Sequence, residues 1–438
     1  MADIDDLRPY DGPLEELAGL TRRRIAVVKD HAGRTSLVRP DSVIVEFAGD
    51  EADHVAAVLG QPGMEVLGRF QPPAGGGAVG ARHLSMDVDP DGRSIDPARR
   101  LASQLRGAGL RVQPNHVFLA DGVAGHFGLL GAHAIGGTPG VSPPVELAST
   151  ARPAVAPRRL ATRLDLRGHR RPHVLVLDTG LRTKDGRPEH EELTNCAIHA
   201  DWLNRADTGR FDDEDEADDD HRGQLDVQAG HGTFISGLVR QRCPDAVVHH
   251  SGVLTSYGDG DHASITHAID RALRRRPEGY DVVVMALGTY AVGDDVTVMG
   301  QLVDRLLRQS VVVASAGNDA TSRPYYPAAL PGVIGVGALG QAGRAAFSNF
   351  GPWIDACAPG IDVVSTFFCD FDDHRPGQRG VDRYRGWAAW SGTSFAAPHV
   401  GAAIAQELYL GGGTAADAWS RLTAGARFRL PELGQVFN

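Results

Sequence analysis

The most regular hydrophobic patterning lies in the second half of the chain. Val174, Leu175, Val176 and Leu177 form a continuous apolar run that closes on Asp178, the pattern of a strand buried on both faces of a parallel sheet. Similar runs fall at 246–254, 281–287, 311–316 and 332–338. Between them the apolar spacing changes to that of amphipathic helices at 232–242, 262–275 and 296–308. In the second of these, Ile265, Ala268, Ile269 and Ala272 share one face. Strands alternating with helices predict a doubly wound α/β fold with a mostly parallel sheet, whose functional groups gather beyond the strands' C-terminal ends.

The first half reads differently. Strand patterns at 43–47, 65–70, 83–88 and 111–119, with helices at 51–59 and 97–109, give the order β-α-β-β-α-β of a small α+β, ferredoxin-like domain. The division expected is an N-terminal arm at 1–41, the small domain at 42–121, a Gly- and Pro-rich linker at 122–157 and the large α/β domain at 158–438.

Composition narrows the class. No apolar run approaches the ~20 residues that span a bilayer, and residues 1–22 are acidic rather than basic and then apolar, so a cytoplasmic protein without membrane contact is expected. A net charge of −11 disfavours a nucleic-acid surface. Cys196, Cys243, Cys357 and Cys369 match no zinc spacing and are expected as free thiols, with Cys357 and Cys369 able to pair only in an exported protein.

The chemistry is carried by single polar residues at element boundaries. Gly392, Thr393 and Ser394 precede an Ala-rich run of helical character, with Pro398 expected in its first turn. A serine at such a junction projects its hydroxyl where free backbone N–H groups stabilise an oxyanion, although a plain helix cap reads the same way. Asp178 ends a strand and is followed by Thr179 and Gly180. His231 lies between Gly230 and Gly232 where a loop becomes a helix, and Asn318 follows Gly317 at the end of another strand. Each alone is commonly a turn or packing residue. Together they are the set a serine nucleophile needs: a base, a carboxylate that holds the base's tautomer, and an oxyanion donor.

In this order, Asp178-Thr179-Gly180, His231-Gly232-Thr233, Gly317-Asn318 and Gly392-Thr393-Ser394-Phe395-Ala396-Ala397-Pro398 resemble the subtilisin-like serine proteases over roughly residues 158–425. The resemblance implies Ser394 as nucleophile, His231 as general base and then acid, Asp178 as orienting carboxylate and Asn318 as oxyanion-hole donor. It also implies that Ala286, Leu287 and Gly288 form the edge that pairs with an extended peptide or protein substrate, and that Ala314, Ser315, Ala316 and Gly317 wall the specificity pocket. The family usually has serine where Ala286 stands; because the backbone does the pairing, the change is expected to be tolerated.

By the same resemblance, residues 42–121 are similar to a propeptide that chaperones folding and blocks the cleft, with residues 120–135 in or near it. They are read either as a removable inhibitor or as a retained accessory. No cofactor is required for the chemistry, but a structural calcium ion is implied as an option. The acidic tract 212–220 is its candidate site, the plainer reading being a solvated loop. Two rivals stand beside the protease: an aspartic protease built on Asp178-Thr179-Gly180, which needs a second such motif, and a non-catalytic peptide-binding module on the same fold.

Overall fold

Val174, Leu175, Val176 and Leu177 have no polar face to offer to water, so the strand His173–Asp178 must be covered on both sides. In the computed structural model it lies between Val247–Gly252 and Val282–Met285, both parallel to it. Val311–Ser315, Val333–Gly340 and Ala356–Pro359 continue the parallel sheet on one side, and the short Ala197–Ile198 on the other. Val174 and Val176 enter one core, which helices His231–Arg242 and Thr393–Gly411 line. Leu175 and Leu177 enter the opposite core with helices His262–Arg275 and Thr297–Leu307. This is a doubly wound α/β sheet, in which full burial of each such leucine is worth about 1.5–3 kcal/mol.

The structure describes residues 4–9, 24–70, 76–83, 94–120, 145–146, 169–184, 187–194, 196–198, 215, 217, 223, 225–291, 296–373, 382–424 and 428–437.

The N-terminal sheet is antiparallel. Its order is Arg111–Ala120, Thr35–Ala48, Gly76–His83 and Met64–Phe70, with helices Ala52–Leu59 and Asp96–Gly107 in the crossovers. Successive residues divide between its two faces. Val43, Val45, Val79 and Ala81 pack with Leu101 and Leu105 in a core of their own. Ile44, Ala78, Phe118 and Ala120 instead share a core with Leu175, Leu177, Ile265 and Ile269. The sheet is therefore covered by its own helices on one face and by helix His262–Arg275 on the other.

Several expectations need correction. Of the strand expected at 83–88, residues 84–88 lie outside the described residues, and the third strand of this sheet is Gly76–His83. The glycines and alanines of that run conceal its strand character, which comes from pairing on both sides with Thr35–Ala48 and Met64–Phe70. The segment expected as a peripheral arm contributes strand Ala26–Lys29, paired with the start of Thr35–Ala48, and buries Ile4 and Leu7 in the N-terminal core. Within the expected linker, Val145–Glu146 pairs with Ala388 and Ala389 of strand Trp387–Trp390; the rest, from residue 121 to 157, lies outside the described residues.

Candidate active site

Asp178 is the last residue of its strand and wholly buried. Its Oδ1 accepts from the backbone N–H of Thr179 at 2.8 Å and lies 2.7 Å from Nδ1 of His231. That contact exists because helix His231–Arg242 begins very close to the strand end. A Cβ on Gly232 would stand 2.2 Å from the carbonyl oxygen of Gly180. Gly230 takes φ +82°, and a Cβ there would meet the Phe367 ring at 2.1 Å. Glycine on both sides of His231 is thus a steric requirement.

The imidazole is buried, and with Nδ1 committed to Asp178 its Nε2 has no hydrogen-bond partner among the described residues. Its ring lies against Phe395 (centroids 5.3 Å apart) and Trp390 (5.5 Å). Phe395 is the residue after Ser394, so the base sits beside the first turn of helix Thr393–Gly411. Ser394 is the second residue of that helix and buried. Its Oγ makes one long contact, 3.5 Å, to the carbonyl of Ala286. Pro398 falls inside this helix rather than in its first turn. The N–H it lacks is the one that would donate to the carbonyl of Ser394, four residues back.

Asn318 is fixed by the same helix start. Its Oδ1 accepts from the N–H of Thr393 at 2.9 Å, which assigns the amide nitrogen to the other side, toward Gly392. Gly317, at φ +95°, donates to Oγ1 of Thr393 at 3.1 Å. Asp178, His231, Asn318 and Ser394 therefore come together at the C-terminal edge of one sheet.

The expected substrate edge is occupied by the chain itself. Leu287 pairs antiparallel with Ala120 and Gly288 with Leu119, while Asp259–Asp261 pairs with Val117, Phe118 and Leu119. Ala286 and Ala314 are buried, Ser315 is buried with its Oγ unpartnered among the described residues, and Ala316 continues toward Gly317 and Asn318. Residues 121–135, whose place in the cleft was expected, lie outside the described residues.

The acidic tract holds what sequence reasoning missed. Asp215 is fully buried, not solvated, and burial pushes its carboxyl up to about 7. It accepts from the backbone of Gly230 and Thr233 and from the hydroxyls of Thr179 and Thr233. No signal in the sequence singles it out: that the hydroxyls of Thr179 and Thr233 share one acceptor is visible only in the fold. Among the described residues, no group of three or more His, Cys, Asp or Glu side chains is arranged to hold a metal ion. His250, beneath Gly232, is kept neutral by burial, its pKa lowered to about 4. All four cysteines are free.

The fold is a doubly wound α/β sheet with a carboxylate–imidazole pair beside the helix start that carries Ser394 and contacts Asn318. The family model described as Subtilase family matches residues 169–414, more than half of the chain, and the chain belongs to that family. It is 34% identical over 182 residues to the thermophilic serine proteinase of Bacillus sp. (strain AK1), covering 39% of this chain and 40% of that protein. It is 32% identical over 192 residues to subtilisin of Bacillus pumilus (40% and 62%). It is 31% identical over 188 residues to minor extracellular protease Epr of Bacillus subtilis (strain 168), covering 40% and 26%. The chain thus spans between 26% and 62% of the length of these relatives.

Proposed function

We propose that the protein is a serine endopeptidase that hydrolyses peptide bonds through an acyl-enzyme on Ser394. The observation that carries this reading is the 2.7 Å contact between His231 Nδ1 and Asp178 Oδ1, which leaves Nε2 as the imidazole's acceptor beside the helix turn that bears Ser394. In this mechanism Ser394 Oγ attacks the scissile carbonyl while His231 Nε2 takes its proton, and Asp178 stabilises the imidazolium. The side-chain N–H of Asn318 and the backbone N–H of Ser394 receive the oxyanion. His231 then donates its proton to the leaving amine, and water reverses the sequence to release the acid.

The same proposal gives residues 42–121 the role of an intramolecular inhibitor. Support comes from strand Arg111–Ala120, which pairs with Leu287–Gly288 where a substrate backbone is expected to add, a β-augmentation mode. Buried Arg39 donates to Asp259 and Asp261, each at 3.0 Å, and Arg323 donates to the carbonyl of Thr35 at 2.7 Å. Substrates enter when this strand leaves. The small residues Ala286, Ala314, Ala316 and Gly317 favour a pocket for small or apolar side chains.

The test is hydrolysis of a peptide library by the purified chain, followed by mass spectrometry. We expect cleavage that a serine-directed phosphonate stops by labelling Ser394 and that Ser394→Ala abolishes. Cleavage that survives in Ser394→Ala, or that pepstatin stops and the phosphonate does not, refutes the reading. A wild type and Ser394→Ala equally inert after removal of residues 1–120 would favour a non-catalytic binding module.

A further inference from the structure

Asp215 is fully buried, and its environment is built around the charged form of a carboxylate. Oδ1 accepts from the N–H of Gly230 at 2.8 Å and from the hydroxyl of Thr179 at 3.2 Å. Oδ2 accepts from the N–H of Thr233 at 3.3 Å and from its hydroxyl at 2.9 Å. The direction of both hydroxyl bonds is set from behind. Thr179 Oγ1 already accepts from the N–H of Gly232 at 2.9 Å, and Thr233 Oγ1 from the N–H of Arg182 at 2.9 Å, so each hydroxyl proton is left for Asp215. Four donors therefore converge on two oxygens, which suits an acceptor-only group.

What these donors have in common is their position. Thr179 follows Asp178 on the strand end, and Gly230 and Thr233 flank the first turn of the helix that begins at His231. Gly230 has no side chain with which to cap that helix, and Asp215 supplies the cap from elsewhere in the chain. We propose that Asp215 is a positioning residue for His231 and Asp178: its carboxylate clamps the strand end to the helix start and thereby holds the imidazole at hydrogen-bond distance from the orienting carboxylate. This rests on the protease reading given above.

The clamp makes catalysis sensitive to a second proton. Burial first, and then the neighbouring Asp178 charge, push Asp215 up to about 7. Protonation places an O–H among four donors and removes one acceptor. Among the described residues, the charged and titratable groups around it are Asp178, reached through Thr179, His231 on the capped helix, His250 beneath Gly232, and Arg182. The Arg182 guanidinium reaches the backbone carbonyl of Asp215 at 3.5 Å and Glu189 at 4.0 Å.

The experiment is steady-state hydrolysis of a fluorogenic peptide by the full chain from pH 5 to 9, wild type against Asp215→Asn. The amide is nearly isosteric but turns two donors onto donors. We expect kcat to fall about 10- to 100-fold with KM unchanged, the effect of a small displacement of a catalytic group. We also expect the acid limb of log(kcat/KM) to change from a slope of about 2 to about 1, because one of two required deprotonations is gone. Wild-type kcat and slope in Asp215→Asn overturn the proposal. Should Asp215→Asn fail to fold, Thr233→Val, which removes one hydroxyl donor, is measured instead. There an about three- to tenfold loss of kcat at constant KM is expected, and wild-type values overturn the proposal. A wild type that neither cleaves peptide nor reacts with a serine-directed phosphonate overturns the protease reading together with this one. A cleaving wild type with an unaffected variant overturns this one alone.

Discussion

Removing the guanidinium of Arg39 tests whether the N-terminal sheet holds the cleft shut. Arg39 is buried between Asp259 and Asp261, alternate residues of the strand that pairs with Val117, Phe118 and Leu119. The side chains of Arg39 and Asp259 are only 4% and 3% exposed, and that of Asp261 is 13% exposed. Arg39→Met keeps most of the stem's packing but removes the guanidinium that the two carboxylates share. Breaking a buried pair in this way costs about 3–5 kcal/mol. At 1.4 kcal/mol per decade, docking of the sheet should weaken by about 10²- to 4 × 10³-fold. The assay has two arms. Peptide hydrolysis by Arg39→Met should exceed that of the wild-type chain, rising until docking no longer limits it. In a Ser394→Ala background, which removes self-cleavage, an added protease should cut between residues 26 and 120 faster than in the parent. Asp261→Asn removes one partly exposed partner and should show the same changes at about a tenth of the size or less. Unchanged hydrolysis together with unchanged protease resistance in Arg39→Met would refute both the latch and its assignment as an inhibitor.

Asn318→Leu should lower kcat about 10²- to 10³-fold with little change in KM, a size measured on a subtilisin and carried over here; an unchanged kcat removes Asn318 from the oxyanion site. Gly232→Ala places a Cβ 2.2 Å from the carbonyl of Gly180, so the helix and strand must separate. A loss of about 1–3 kcal/mol in stability and a marked fall in kcat are expected, read by thermal melting and steady-state kinetics. His250 carries a pH signature: burial lowers it from 6.5 to about 4 in the fold, so unfolded chains protonate first as pH falls. Its stabilising contribution is complete above about pH 6.5 and is lost down to about pH 4, a swing of roughly 3 kcal/mol. His250→Asn should flatten the decline in melting temperature over that range, and an equally steep decline shows that His250 does not carry it.

Parts of the site were legible before any coordinates because they are local. An apolar run ending on Asp178, glycines beside His231 and a small-residue turn before Ser394 are each readable over a few residues; the burial of the His231 imidazole between Phe395 and Trp390 is not. The strand Gly76–His83 has no legible pattern because it has few bulky residues; its strand character comes from its two neighbours. The segment before residue 42 read as an arm, since the burial of Ile4 and Leu7 depends on a core that only the assembled sheet provides.

Asp215 marks the boundary most sharply. In the run from Asp212 to Asp220 nothing separates one carboxylate from the next, and charge repulsion and hydration argue for a solvated loop. Patterning and motif spacing along the chain determined the parallel sheet, the helices between its strands and the four polar residues at its edge, because periodicity and backbone sterics act over a few residues. Which acidic residue goes inside, and which strand fills the cleft, was decided only in three dimensions. Hydrogen-bond donors from residues 179, 230 and 233 become one binding site only after the chain has folded, as does the edge strand Leu287–Gly288 that accepts Leu119 and Ala120.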